Sequence, residues 1–173
     1  TSTISAHATA GLAGIYVSAG TGDVSITGNG SASSGHGVYI DTAGDITFTG
    51  NGTATGASGQ YGVYLADVAA GSTATLNLTG NPTGTVGGVF AQGDGDLIVN
   101  MSGSSINGFN FNFGGMADEV EVMLQPGAVW RPPAGSSTIA DDNFRIVLGE
   151  GAVWRQESIV GIESRGFIFG APL

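Results

Sequence analysis

Cysteine and lysine are both missing from this 173-residue chain. Without cysteine there is no disulfide to staple the fold and no thiolate to offer a zinc ion. Without lysine, the only strong cations are Arg131, Arg145, Arg155 and Arg165, so residues 1–117 carry none. The net charge is −10. Phosphate backbones and anionic membranes both need cationic contacts, which argues against nucleic acid and lipid headgroups as partners. Long apolar runs are also missing, and those present are far too short to span a bilayer. No stretch carries the period of a long amphipathic helix. The chain opens on Thr1 without a signal-peptide pattern, and we read it as a processed or excised segment.

Glycine, by contrast, is abundant, with 32 residues in no Gly-X-Y period, which excludes collagen. A 41% hydrophobic content argues against disorder. Glycine with Thr, Ser and Asn marks frequent turns between short strands. These turns punctuate a repeated unit, clearest at residues 37–52: Gly-Val-Tyr-Ile-Asp-Thr-Ala-Gly-Asp-Ile-Thr-Phe-Thr-Gly-Asn-Gly. Related copies begin at Gly14, Gly62 and, in degraded form, Gly88, giving steps of 23, 25 and 26 residues. A second unit, Val122–Arg131, recurs at Ile146–Arg155, offset by 24. Strand-and-turn units at periods in the twenties predict an all-β parallel β-helix, a β-solenoid of about seven coils of about 22–26 residues. We expect one solenoid over 1–173, with Gly/Thr-rich coils at 1–117 and a different coil sequence at 118–173. Residues 1–11 read as an edge strand or the end of an earlier coil, and Ile159–Ile162 and Phe167–Phe169 as the last strands.

Alternation predicts which side chains face inward. In the second strand of each copy, Ile26, Phe48, Leu78 and Met101 alternate with polar residues and belong inside. The first strand is apolar on both parities. Tyr16 shares its parity with Ser18, Tyr39 with Asp41 and Phe90 with Gln92, and burying such polar groups unpaired is costly. Ile15, Val17, Val38, Ile40, Val63 and Leu65 are therefore placed inside. Tyr16, Tyr39, Tyr64 and Phe90 then form an external four-rung aromatic ladder, unless loops 30–36 and 52–60 fold over it. Phe109, Phe111 and Phe113 alternate with Asn110 and Asn112, predicting a strand with an aromatic inner side.

The Gly-x-Gly-Ala-Val-Trp pattern after a Val/Ile-x-Leu strand (residues 146–154, and 122–130 with Gln-Pro for Gly-Glu) resembles the passenger domains of bacterial autotransporters. The Gly-Val-Tyr and Thr-Gly-Asn-Gly copies are similar to their coils. The resemblance implies a right-handed parallel β-helix, secreted to the bacterial outer surface and serving adhesion or aggregation. Right-handedness is also what the crossover rule favours for parallel strands. The family's C-terminal membrane barrel is not in this sequence.

Several residue groups invite a chemical reading. Asp23, Asp45 and Asp96 precede the second strands, and Gln92–Asp96 is a dense carboxylate turn. Calcium is one reading, but the repeated nonapeptides of calcium solenoids are missing, and turn-forming Asp explains the pattern. Outward Thr pairs suggest an ice-binding array, which Asn77 and Asn100 interrupt; β-propensity alone accounts for Thr there. A polysaccharide lyase or hydrolase would need converging carboxylates and a base. Arg131, Arg145 and Arg155 with Asp141, Asp142 and Glu150 offer such a group, against the alternative of charge-paired surface. His7 and His36 read as isolated surface residues. Trp130 and Trp154 are expected at a corner or in the core, with sugar contact as the alternative.

The expectation is therefore a secreted or cell-surface scaffold for adhesion or self-association, with no enzymatic activity, cofactor or metal. Its contact residues are Tyr16, Tyr39, Tyr64 and Phe90, flanked by Thr27, Thr49 and Thr79, and its partners are other copies of the protein or cell-surface glycans. A self-assembling filament unit and a carbohydrate-active β-helix enzyme are the alternatives.

Overall fold

The computed structural model describes residues 13–56, 58–113, 119–133, 136–140 and 144–155. The described residues form fifteen strands and no helix. The first three coils each contribute two: β1 (Ala13–Gly20) and β2 (Val24–Ala32), β3 (His36–Thr42) and β4 (Ile46–Ala54), β5 (Tyr61–Val68) and β6 (Thr73–Leu78). The next three contribute three each. They are β7 (Gly87–Gly93), β8 (Asp96–Met101) and β9 (Ser104–Ser105), then β10 (Phe109–Phe113), β11 (Val120–Leu124) and β12 (Val129–Trp130), then β13 (Thr138–Ala140), β14 (Phe144–Leu148) and β15 (Val153–Trp154). Every strand pairs in parallel with its counterpart one coil away. The first sheet runs β1-β3-β5-β7-β10-β13, the second β14-β11-β8-β6-β4-β2, and the third β15-β12-β9. This is a parallel β-solenoid of six coils within the described residues. The expected strands at 1–11, 159–162 and 167–169 lie outside them.

The inward residues form one continuous core. Ile15, Val38, Ile40, Val63 and Leu65 are buried from the first sheet, as the parity argument requires, while Val17 is half-buried. Burying an aliphatic side chain of this size contributes about 1.5–3 kcal/mol relative to leaving it in water. The second sheet needs one correction of register. Ile26 stacks on Phe48, but Phe48 pairs with Leu76 and Leu76 with Val99. Leu78 pairs with Gly50 on one side and Met101 on the other. All are inside, yet they fill two adjacent columns rather than one, because the third coil spends more residues on the turn before its second strand. Phe109, Phe111 and Phe113 are buried, as their alternation predicts.

The C-terminal unit keeps its offset of 24: Val122 pairs with Ile146 and Trp130 with Trp154. Gly127 (φ 76°) and Gly151 (φ 68°) occupy the left-handed region before each Ala-Val-Trp, where a Cβ is disfavoured. Trp130 is 1% exposed and its Nε1–H donates to the Asn107 carbonyl at 2.8 Å, so it belongs to the core and offers no ring to a sugar.

In the earlier coils the glycines that open and close each unit meet across a corner. A Cβ on Gly37 would overlap the backbone of Thr53 and Gly62, and one on Gly52 would overlap Gly62. The Gly of Gly-Val-Tyr and the last Gly of Gly-Asn-Gly are thus two halves of one close backbone approach.

Candidate functional site: an aromatic ladder

Parallel in-register pairing carries one column of the first sheet through every coil. Tyr16 pairs with Tyr39, Tyr39 with Tyr64 and Tyr64 with Phe90. Strand spacing of about 4.8 Å sets their separation. Ring centroids lie 5.0, 5.4 and 4.5 Å apart, with planes within 7° of parallel. The column continues to Asn110 and Thr138, where the aromatic line ends. Tyr16 is 52% exposed and the other three rings are half-buried.

Two neighbours that the sequence reading missed cover part of the ladder. His36 stacks on Tyr64 at 4.3 Å, and Tyr61 packs on Phe90 at 5.1 Å. They open β3 and β5 and lie 6.2 Å from each other as a short second column. His36 is therefore not an isolated surface residue. The available signal was an aromatic ring directly before the first Gly of the two middle copies. The backbone N–H of Tyr61 donates to His36 Nδ1 at 3.1 Å, which requires a lone pair there and puts the neutral imidazole's proton on Nε2. Burial among the rings lowers the His36 pKa below its usual value. Asn110 Nδ2 donates to the Tyr61 hydroxyl at 3.3 Å.

In the first coil Ala13 holds the place of His36. A groove of about 280 Å³ lies at this end of the ladder, lined by Tyr16, Ser34, Gly35, His36, Tyr39 and Gln60. Burial raises the pKa of the Tyr39 phenol, with Asp41 and the phenols of Tyr16 and Tyr64 adding to the effect. Tyr64 is raised likewise, by burial first and by Tyr61 second. Both phenols therefore stay neutral hydrogen-bonding groups at ordinary pH. Loop residues Ser34, Gly35 and Gln60 border the ladder, and Tyr16 stays 52% exposed.

The threonines do not flank this site. Thr27 and Thr49 lie on the second sheet, paired with each other, and the next positions in their column are Asn77 and Asn100. Asn100 Nδ2 donates to Asn77 Oδ1 at 2.9 Å and Asn77 Nδ2 to Thr49 Oγ1 at 3.2 Å, giving a polar ladder of mixed composition rather than a flat threonine array. Thr79 falls outside this column, just beyond β6, where its N–H donates to the Gly50 carbonyl at 3.0 Å.

The aspartates serve the turns. Asp23 Oδ1 accepts the Asp45 N–H at 3.1 Å, Asp45 Oδ1 the Thr73 N–H at 3.0 Å, and Asp96 Oδ1 the Glu119 N–H at 3.0 Å. Each carboxylate thus caps the backbone of the next coil. Asp94 is exposed. Among the described residues, no three His, Asp or Glu side chains gather as a metal site. Arg145 pairs with Glu119 and with the buried Glu121, neither of them in the charged group expected from the sequence. Arg131 and Arg155 are exposed. Asp141, Asp142 and His7 lie outside the described residues.

Compared with protein-family models, with curated proteins and with solved structures, the chain matches none.

Proposed function

We propose that this chain is a non-enzymatic β-helical scaffold of autotransporter-passenger type, secreted or displayed on a bacterial surface. Its ladder face is the surface through which it adheres or self-associates. The observation that carries this reading is the parallel stack of Tyr16, Tyr39, Tyr64 and Phe90 on four consecutive coils. A contiguous line of rings, with Tyr16 52% exposed and the other three half-buried, differs from apolar residues scattered singly over a surface. Its geometry favours one kind of contact. Sugars stack on ring faces, but the faces of Tyr39 and Tyr64 are spent on their neighbours in the ladder and, for Tyr64, on His36. A stacked line of partly exposed rings, three of them tyrosines with a polar handle, suits a polypeptide surface such as a second copy of the chain.

Sedimentation velocity over a wide concentration range tests this on the wild type and on Tyr39→Ser/Tyr64→Ser. Association that rises with concentration and disappears in the double variant is the expected result. Association that survives the substitutions assigns the contact to another surface. A monomer at every concentration removes self-association and leaves adhesion to be assayed on cells with the same two proteins.

A further inference from the structure

Four asparagines stand in Asn-x-Ser/Thr tripeptides without proline at the middle position. They are Asn29-Gly30-Ser31, Asn51-Gly52-Thr53, Asn77-Leu78-Thr79 and Asn100-Met101-Ser102. This tripeptide is the acceptor of N-glycosylation. All four asparagines lie on strands of the second sheet, and none of the four is buried.

Their amides are in different situations. Asn77 and Asn100 donate their Nδ2 protons into the polar ladder described above, and the Ser102 hydroxyl donates to the Leu78 carbonyl at 3.2 Å. Asn51 Nδ2 donates to the Asn81 carbonyl at 3.2 Å, and its Oδ1 is buried. A transferase can take these nitrogens only by breaking bonds between coils. Asn29 is exposed and makes no side-chain hydrogen bond to a described residue.

We infer that Asn29 is the N-glycan acceptor of the folded protein. The donor is a glycosyl diphosphate, carried on a nucleotide or on a lipid. The bond from the anomeric carbon to the diphosphate oxygen breaks and the diphosphate leaves with the electron pair. The Asn29 Nδ2–carbon bond forms, and Nδ2 gives up one proton to a base; nothing is oxidised or reduced. The ladder is on the first sheet and Asn29 on the second, so a glycan there leaves the aromatic face open.

The test incubates folded protein, and synthetic peptides spanning the four tripeptides, with a sequon-reading N-glycosyltransferase and a nucleotide sugar. A parallel arm uses an oligosaccharyltransferase with a lipid-linked donor. Glycopeptides are then mapped by mass spectrometry. The expected result is modification of all four peptides but of Asn29 alone in the folded protein, lost in Asn29→Gln and in Ser31→Ala. Modification in either arm supports the inference and identifies the donor class. A folded protein left unmodified at Asn29 by both enzymes, or modified equally at Asn51, Asn77 or Asn100, overturns it.

Discussion

His36 couples the ladder to acid stability. Its folded pKa is lowered by burial, whereas the unfolded value is about 6.5. Between those two values the unfolded chain binds a proton that the folded chain does not, so stability rises with pH through the window. The contribution is complete above about pH 6.5 and is lost as pH falls toward the folded pKa. Melting temperatures at neutral and mildly acidic pH should therefore drop less in His36→Gln than in the wild type, the carboxylates being common to both. An equal drop would detach His36 from the effect. Gly37 makes a second prediction at this scale. Gly37→Ala forces a Cβ into the backbone of Thr53 and Gly62 and should cost about 2–3 kcal/mol in urea denaturation. At Gly22 a Cβ has its nearest neighbour, the Ala19 carbonyl oxygen, at 3.7 Å. Gly22→Ala should stay within about 0.5 kcal/mol.

Between strands, the ion pair of Glu121 on β11 with Arg145 on β14 is the exposed-to-buried case worth testing. Arg145 lies across from Glu121, whose side chain is 6% exposed, while Arg145 itself is 44% exposed. Arg145→Gln leaves a buried carboxylate without its partner and should cost about 2–3 kcal/mol, below a fully buried pair because water reaches the arginine. Adding Glu121→Gln should recover part of that loss, and a double-mutant cycle in urea measures how much. Strand pairing was the most legible part of the sequence. The Tyr-to-Tyr and Trp-to-Trp offsets are visible because parallel stacking repeats the same residue at the same place. The second-sheet register of the third coil was harder, since two apolar residues of one parity, Leu76 and Leu78, both satisfy the alternation. The ladder itself was readable from Asp41 and Gln92. His36 and Tyr61 were not, because they sit at strand starts, where alternation no longer dictates direction.

Across the whole molecule, stability is close to a sum over coils and their interfaces. That arrangement separates surface from core unusually well, since outward columns can change with little effect on the inward ones. The net charge of −10 also sets a condition on any self-association. Copies repel one another at long range, and salt shortens that reach to about 10 Å at 0.1 M. The association tested by sedimentation should therefore strengthen from low to physiological ionic strength.

The column that begins with Tyr16 reads Tyr, Tyr, Tyr, Phe, Asn, Thr from coil to coil. Its length as an aromatic surface is thus written one letter per coil, and it stops where Asn110 replaces a ring. A tandem duplication of one middle unit would lengthen the face by one rung and leave its neighbours' contacts in place. Reach, in this architecture, is a heritable count.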